Sequence, residues 1–226
     1  MTLGRPRLHL RTVDSTNERA KALAAAGAPH GTAVTAGEQT AGRGRGGRSW
    51  VTPPGHGLAL SLVLREHDEL LPLRAGLAVA DVAGPAARMK WPNDVLVDGR
   101  KVAGVLVEAR PADGWAVLGI GLNVAVDPAT LPPDAAAVAG TLGRDPAELE
   151  AALTELLAAL EHRLAEPPAD VLAAVRERDA LLGAPLRWAD GAGTGAGIAD
   201  DGGLRVRLSD GAETVLAAGE VHLGDG

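Results

Sequence analysis

The sequence predicts an α+β fold with two parts, a larger domain of strands and flanking helices and a small C-terminal β barrel. Three observations lead to this prediction. Strand-like and helical stretches alternate up to residue 87, residues 87–126 have the pattern of a β meander, and the chain beyond residue 183 contains only short β segments between Gly and Asp turns. Such a change of pattern indicates two domains, which we expect at residues 1–182 and 183–226.

Alternation and capping signals define the first strand and helix. RLHLRTV at 7–13 alternates apolar and polar residues, as a half-buried strand does. Asp14, Ser15 or Thr16 can cap the following helix, and Gly27 ends it. The other predicted elements are strands at 32–38 and 57–65, helices at 70–83, 145–165 and 169–182, and a Pro-rich loop at 127–134.

Inside the meander, the dipeptide Asp98-Gly99 separates VLV from KVAGVLVEA. Asp-Gly between two apolar runs favours a two-residue hairpin, because both central residues of that turn take positive φ. A second turn at 111–114 leads into WAVLGIGLNVAV. Three consecutive antiparallel strands are therefore expected here.

The composition excludes several kinds of chemistry. The 226 residues include no Cys, so a disulfide, a thiolate metal site and a cysteine nucleophile are excluded. The N-terminus lacks an apolar stretch of signal-peptide length, and no run approaches the roughly 20 apolar residues that span a bilayer. We therefore expect a cytoplasmic protein without a membrane partner. The net charge of −7 argues against broad, non-specific binding to nucleic acid.

The chain uses amide side chains and lysine very rarely. It has three Asn, one Gln and three Lys, against nineteen Arg. Rare residues in an otherwise biased composition indicate positions where a substitute does not serve. The ones that fall in unusual segments are Asn17, Gln39, Asn93, Asn123, Lys90 and Lys101. This clustering predicts a site.

The segment GEQTAGRGRGGRSW at 37–50 predicts a mobile loop that closes over an anion. Glycine permits close approach of the backbone, and arginine offers a planar set of donors to phosphate or carboxylate oxygens. Residues 42–47 match G-x-G-x-x-G, but no helix start follows, so a dinucleotide fingerprint is disfavoured. An RNA-binding Arg/Gly tail is disfavoured in an acidic chain. A plain surface loop remains an alternative for this segment alone.

KWPND delivers polar side chains to the head of a predicted hairpin. Pro92 fixes an extended approach, after which Lys90, Asn93 and Asp94 lie close together. As pure structure, Asn93-Asp94 would be a turn and Lys90 a solvated charge. Of the acidic residues nearby, we expect Glu108 to be structural and Asp94 to be the better metal ligand.

Glycines in two neighbouring strands predict a groove on one face of the sheet. Alternation places Gly104 and Leu106 on the same side of their strand, and Gly119 and Gly121 precede Asn123 in the next. Glycine within a strand often marks the close approach of a ligand. Lys101 is expected at the edge of this groove.

Taken in order, these segments resemble those of bacterial biotin protein ligases, also called biotin–[acetyl-CoA-carboxylase] ligases. The resemblance covers the chain from about residue 8 to residue 223. It rests on DSTN, GEQTAGRGRGGRSW, GLALSLVL, KWPNDVLV, GRKVAGVLVE, GIGLNV and GEVHL. It implies a mixed sheet like that of class II aminoacyl-tRNA synthetases, with flanking helices and an SH3-like C-terminal barrel. Since the chain begins almost at the first catalytic strand, we expect the monofunctional type, without a DNA-binding domain and without DNA as a partner.

The resemblance also implies an activity. Members of the family join biotin to ATP, giving biotinyl-5′-AMP, and then pass biotin to one lysine of the biotin carboxyl carrier domain of acetyl-CoA carboxylase or another acyl-CoA carboxylase. Biotin and ATP are then the substrates, with Mg²⁺ as cofactor. A carboxylate that attacks the α-phosphate brings anions together, so fixed cations have to offset the repulsion.

Carried over by position, the motifs imply three groups of residues. The biotin contacts are Ser15, Thr16, Asn17, Gln39, Gly42, Arg43, Gly44, Arg45, Lys101, Gly104, Leu106 and Gly119. The ATP contacts are Arg43, Arg45, Arg48, Trp50, Lys90, Asn93 and Asn123. Lys101, Arg43 and Arg45 are the expected catalytic residues, and Asp94 is the expected Mg²⁺ ligand.

Two other functions compete with this interpretation, and one position departs from the family pattern. A lipoate or octanoate protein ligase shares the catalytic fold, although GRGRxGR together with KWPND favours biotin. A non-catalytic biotin or nucleotide sensor would bind without releasing pyrophosphate. The departure is Gly46, where many relatives carry a basic or otherwise larger residue, so we expect a more mobile loop in this chain.

Overall fold

The centre of the molecule is a seven-stranded mixed sheet. The computed structural model describes residues 2–224. Met1, at the start of the first predicted domain, and Asp225 and Gly226, at the end of the second, lie outside the described residues. The strands are β1 (Arg7–Val13), β2 (Ala33–Gln39), β3 (Leu58–Leu64), β4 (Arg88–Lys90), β5 (Asp94–Val97), β6 (Arg100–Arg110) and β7 (Trp115–Leu122). Their order is β1-β2-β3-β7-β6-β5-β4, and β1 and β2 are parallel while the other neighbours are antiparallel.

Helices cover both faces of this sheet. The helices are α1 (Thr16–Ala25), α2 (Leu71–Ala83), α3 (Pro133–Val138), α4 (Leu149–Ala165) and α5 (Pro168–Glu177). On one face, Ala20 and Ala24 of α1 pack against Val34, Val63 and Val117. On the other, the buried residues of α2 and α4 pack against the leucines of β3 and β7. Because both faces are covered, all seven residues of β3 are buried, which explains its almost continuous apolar sequence.

The C-terminal part forms a second, smaller sheet. Its strands are β8 (Pro185–Trp188), β9 (Gly191–Ile198), β10 (Leu204–Arg207), β11 (Glu213–Leu216) and β12 (His222–Leu223), in the order β11-β10-β9-β8-β12. The expected all-β unit is therefore present, but within residues 2–224 the sheet is open rather than closed into the expected barrel. The short β12 pairs with β8 through His222 and Leu223, and this leaves β11 and β12 as the two edges.

The small sheet shares a hydrophobic core with the large one. Leu186, Ile198 and Leu204 pack in the same buried cluster as Leu77 of α2 and Trp91. The Trp91 indole Nε1 also donates a 3.0 Å hydrogen bond to the Gly202 carbonyl. Burying an indole requires a partner for its N–H, so this contact fixes how the small sheet docks.

The helix and hairpin predictions are confirmed in most places and wrong in three. Asp98 and Gly99 have φ of 50° and 72°, as the hairpin signal requires. The last helix ends at Glu177 instead of continuing to residue 182, because residues 178–180 pair with β4 through two backbone hydrogen bonds to Met89. The helix expected from residue 145 begins at Leu149, after a 3₁₀ turn that a capping box at Asp145 starts.

The third difference is α3. The Pro-rich stretch at 127–134 holds a 3₁₀ turn, and its last two residues begin this short helix. Proline fits the first turn of a helix because its missing N–H has no partner there, and Pro133 occupies that position. No helix between residues 2 and 224 is both long enough and apolar enough to cross a membrane.

Packing of α4 on the sheet predicts a large stability loss on truncation of Leu156. This side chain is completely buried in the main core, whereas Leu182 is 63% exposed. Leu156→Ala should lower the free energy of unfolding by about 2–5 kcal/mol, and Leu182→Ala by less than about 0.5 kcal/mol. Urea unfolding followed by circular dichroism measures both. Equal losses in the two variants would contradict the described position of α4.

Candidate functional site

A cavity of about 710 Å³ lies on the face of the sheet that α1 covers in part. Strand register explains where it forms. Ser61, Gly119 and Leu106 stand opposite one another across β3, β7 and β6, and the next row on the same face contains Gly121 and Gly104. Three of these five positions are glycine, so the floor of the cavity is low where other strands would carry side chains.

Amide and hydroxyl side chains close one end of the cavity. Thr16 donates to Gln39 Oε1 from its backbone N–H at 2.8 Å and from its hydroxyl at 3.1 Å. The Ser61 Oγ lies 2.8 Å from Thr16 Oγ1 and 2.6 Å from Asn17 Oδ1. Thr16, Asn17 and Ser61 are buried. Their donors and acceptors are therefore held in one arrangement by one another.

The side chains that approach the glycines belong to the protein itself. A Cβ on Gly119 would clash with the Asn17 amide, and one on Gly121 would clash with the Trp50 indole. Gly104 lies beside both Trp50 and the Lys101 ammonium. The sequence predicted that a ligand approaches these glycines, and in the structure Asn17 and Trp50 fill part of that space.

The Gly/Arg loop forms one wall. Arg45–Gly47 make a 3₁₀ turn, and Gly46 and Gly47 have φ of 63° and 77°, a region that favours glycine. Gly42 and Trp50 bracket the loop through a 2.9 Å backbone hydrogen bond. Because Gly42 packs against the Trp50 carbonyl, a side chain there would collide with backbone.

Each arginine of this loop has a protein partner. Arg43 pairs with Glu18, and its guanidinium lies 3.8 Å from Glu108. Arg48 pairs with Glu220 of the small sheet's last connection, and Arg45 donates to the Gly219 carbonyl at 3.4 Å. All three arginines line the cavity. Since these arginines are exposed or nearly so, their pairs are weak and exchange readily with other anions.

Lys101 lies at the other edge of the glycine floor. Its ammonium is 2.7 Å from Asp94 Oδ1 and 5.5 Å from the centre of the Trp50 ring. The buried Oδ1 accepts no hydrogen bond within residues 2–224, so its contact with Lys101 is mainly electrostatic. Asp94 itself does not line the cavity. It lies on β5, directly opposite Gly104 of β6.

Two further amides reach the cavity. Asn93 donates from Nδ2 to the Val105 carbonyl at 3.0 Å, which holds the KWPND segment to β6. Asn123 is buried, and its Nδ2 donates to the Gly140 carbonyl at 2.9 Å. The Asn123 Oδ1 accepts no hydrogen bond within the described chain. A buried, unused acceptor costs free energy unless a ligand or water meets it.

The structure brings most of the predicted site residues together. Those that line the cavity are Ser15, Thr16, Asn17, Gln39, Arg43, Gly44, Arg45, Arg48, Trp50, Asn93, Lys101, Gly104, Leu106, Gly119 and Asn123. Gly42, Lys90 and Asp94 stand outside the lining. Lys90 is half-buried on β4 and faces Asp94 in register.

Sequence reasoning missed one wall of the cavity. Leu131, Asp134, Ala135 and Val138, on or beside α3, all line it. Val138 is 57% exposed although it is apolar, and this leaves an uncovered apolar surface at the rim. Alanine, valine and proline dominate the stretch, so its pattern contained no chemical signal that pointed to a site.

The described residues do not contain a ready-made metal centre. Between residues 2 and 224, no three His, Asp or Glu side chains come together in a group that could hold an ion. The cavity instead combines a neutral polar end, a glycine floor and a cationic rim. Such an arrangement suits a ligand with a polar head, an apolar middle and an anionic end.

The chain is similar to known ligases over almost its whole length. It is 38% identical to a biotin–[acetyl-CoA-carboxylase] ligase of Paracoccus denitrificans, over 95% of this chain and 99% of that protein. It is 36% identical to the bifunctional ligase/repressor of Bacillus subtilis over 63% of this chain, and it spans about half of that longer relative (47%). Among solved structures, the biotin protein ligase of Aquifex aeolicus in complex with biotin and ATP matches with a TM-score of 0.84, 28% identity, and coverage of 97% of this chain and 100% of that one.

The family model for biotin/lipoate A/B protein ligases matches residues 9–125. This range holds every predicted site residue, from Ser15 to Asn123. The match agrees with the near full-length similarity to the Paracoccus protein and with the similarity of the fold to the Aquifex structure. The chain belongs to the biotin/lipoate A/B protein ligase family.

Proposed function

We propose that this chain is an ATP-dependent biotin protein ligase. It activates biotin as biotinyl-5′-AMP and transfers biotin to a lysine of a carboxylase carrier domain. The observation that carries the proposal is the cavity, in which the neutral polar end and Lys101 lie at opposite edges of a glycine floor and the loop arginines line one wall. Biotin has a matching shape, with a polar ureido ring, an apolar chain and a carboxylate.

In the first step, a biotin carboxylate oxygen attacks the α-phosphorus of ATP. A new P–O bond forms, the bond from the α-phosphorus to the bridging oxygen breaks, and pyrophosphate leaves. Lys101 and the loop residues Arg43 and Arg45 hold the two anions together and stabilise the charge that develops. Lys101 suits this role because Asp94 and the Trp50 ring fix its ammonium at the edge of the floor.

In the second step, the amine of the carrier lysine attacks the biotinyl carbonyl, and AMP leaves. The lysine needs a route from solvent. A cleft of about 1110 Å³ runs between the Gly/Arg loop, β6 and the small sheet, and it shares Arg43, Arg45 and Asn93 with the cavity. We assign this cleft to the approach of the carrier domain. DNA is not among the proposed partners, since a chain of net charge −7 is poorly suited to a phosphate backbone.

The nucleotide is assigned to the side of the cavity that Asn123 and α3 form. The unused Asn123 Oδ1 is an acceptor that fits the exocyclic amino group of adenine. Arg48 and Asn93 line the same cavity and are the proposed contacts to the phosphates and ribose. Lys90 lies outside the lining, so its proposed phosphate contact requires a movement of its side chain.

Magnesium fits the site only as an ion shared with the nucleotide. Mg²⁺ usually takes one or two protein carboxylates together with phosphate oxygens and water. Asp94 offers its Oδ1, which lies 2.7 Å from the Lys101 ammonium, so binding of the ion there requires the Lys101 ammonium to move towards the phosphates. We assign Asp94 to this role, in which the ion would screen the charge of the polyphosphate.

We also propose a division of the chain into domains and a cellular location. We divide the chain into a catalytic domain at 1–182 with a class II synthetase-like sheet and a C-terminal module at 183–226 of the SH3-like kind. Pairing of residues 178–180 with Met89 supports a boundary just after α5. Because the reaction consumes ATP, we place it in the cytoplasm.

The activity is tested by pyrophosphate release with biotin and ATP, followed by transfer of labelled biotin to a carrier domain. Lipoate and octanoate replace biotin in parallel reactions. Pyrophosphate release with biotin alone among the three acids supports the proposal. Release with lipoate in place of biotin would make the chain a lipoate ligase. Binding of biotin without any release would make it a sensor.

Removal of the Lys101 ammonium should weaken biotin binding and strongly reduce adenylate formation. One charge-assisted contact in a closed site is worth roughly 1.5–3 kcal/mol, so Lys101→Ala should cost at least about tenfold in kcat/KM for biotin. Arg110→Ala, at the exposed end of the same strand, is the control and should keep wild-type activity. Normal adenylation by Lys101→Ala would remove this lysine from the reaction.

Loss of Arg45 should let the adenylate escape. Closing a glycine-rich loop costs backbone entropy of roughly 1–2 kcal/mol per residue, and the arginine contacts to the ligand offset it. Arg45→Gly should release biotinyl-5′-AMP faster and label lysines of bystander proteins. Biotin plus ATP should protect residues 42–48 from protease in the wild type and protect them less in the variant.

The matched control is Arg11→Gly, an exposed arginine on β1 outside the cavity. It should neither label bystander proteins nor change protection of the loop. Equal retention of the adenylate by Arg45→Gly and the wild type would make the loop a static phosphate contact instead of a lid.

A further inference from the structure

A chain of hydrogen bonds, buried at Ser61 and half-buried at Glu108, runs from β3 to α1 and on to β6. Ser61 Oγ donates to Asn17 Oδ1 at 2.6 Å, and Asn17 Nδ2 donates to Glu108 Oε2 at 2.9 Å. Lys21 Nζ then donates to the other oxygen, Glu108 Oε1, at 2.8 Å. Of these four residues, Asn17 alone lines the cavity. Glu108 was expected to be purely structural.

The geometry fixes which end of the Asn17 amide faces which neighbour. An amide oxygen only accepts hydrogen bonds and an amide nitrogen only donates, while an ionised carboxylate only accepts. If the Asn17 amide were rotated by 180°, its oxygen would face the Glu108 carboxylate and its NH₂ group would face Ser61. The carboxylate, which is the nearer acceptor, therefore selects the orientation with Nδ2 towards β6, where the Leu106 carbonyl also lies 3.5 Å from Nδ2.

Glu108 is ionised at neutral pH. Burial raises the pKa of this carboxyl, but hydrogen bonds from Lys21 and Asn17 and the nearby charges of Lys21 and Arg43 outweigh it, so that its pKa lies below the usual value. Lys21 shows the matching change. Burial lowers the pKa of its ammonium, but Glu108 and Glu18 outweigh burial and hold that pKa above the usual value. The pair keeps its charges through the neutral range.

The Asn17 oxygen that results lies on the cavity floor, among the residues that line the cavity. It lies against Gly119, where no side chain intervenes, and Ser61 uses one of its two lone pairs. We propose that Glu108 is a positioning residue, which orients the Asn17 amide so that the polar end of the cavity presents an acceptor to a ligand N–H. This inference rests on the proposed function, in which the donor is a ureido N–H of biotin.

Glu18 provides a matched control within the same charge cluster. It pairs with Lys21 at 2.7 Å and with Arg43, as Glu108 does, but it makes no hydrogen bond to Asn17. Glu108→Gln and Glu18→Gln remove the same charge, and only the first frees the Asn17 amide to turn. Glu108→Gln should raise the KM for biotin about tenfold, the scale of one buried hydrogen bond, while the KM for ATP stays within about twofold. Glu18→Gln should leave both within about twofold.

Exchanging the amide and the carboxylate between positions 17 and 108 distinguishes an effect on side-chain orientation from an effect on stability. Asn17→Asp sets two carboxylates against each other and should bind biotin much more weakly than the wild type. In the double variant Asn17→Asp/Glu108→Gln, the new amide NH₂ at position 108 can donate to the new carboxylate at position 17, and the oxygen that faces the cavity is again an acceptor. The double variant should bind biotin at least about tenfold more tightly than Asn17→Asp alone.

Titration calorimetry with biotin alone measures each affinity, and thermal unfolding midpoints show that each variant is folded. Additive losses, with the double variant weaker than Asn17→Asp, would overturn the inference, as would an unchanged KM for biotin in Glu108→Gln. A wild-type chain that fails to bind biotin would instead overturn the proposed function. If Glu108→Gln alone is unfolded, the comparison of Asn17→Asp with the double variant decides.

Discussion

The close approach of Asn17 and Trp50 to the glycines of β7 is the constraint on which the site depends. Gly119 and Gly121 leave room for an amide and an indole directly on the sheet. Asn17 can then stand at the start of α1 and still reach β6, and Trp50 can anchor the end of the Gly/Arg loop. A single methyl group at either glycine would lift one of these side chains off the floor, and both ends of the cavity would change shape.

The same constraint explains why the two faces of the sheet differ so strongly. The leucines of β3 and β7 that face α2 and α4 are buried and fill the core in a chain without Phe or Tyr. On the opposite face, α1 covers the sheet with small residues, Ala20 and Ala24, only as far as Val117. Beyond that point the glycines begin, and Asn17 and Trp50 lie on the floor beside the cavity. The core thus stabilises the fold on one side and leaves the other side free for binding.

Sequence reasoning predicted the parts of the fold and site that depend on local chemistry. The Asp98-Gly99 hairpin needs positive φ, and five of the six rare amides and lysines singled out in the sequence line the cavity. What it missed depends on contacts between distant segments. The last helix stops because Met89 pairs with the residues that follow it, and Glu108, which orients the Asn17 amide, follows it by 91 positions. The α3 wall and the open small sheet were missed because apolar and strand-like segments carry no information on their partners.

The partners of the loop arginines bear on how a ligand enters. Glu18, Glu108 and Glu220 hold Arg43 and Arg48 in place, so the cationic rim is neutralised within the protein itself. Pairs as exposed as these contribute about 0–1 kcal/mol each, whereas a contact to a phosphate in a closed site is worth roughly 1.5–3 kcal/mol. Exchange of Glu220 for a polyphosphate is therefore favourable. The carboxylates order the loop without competing seriously with the nucleotide, and this compensates in part for the flexibility that glycine introduces into the loop.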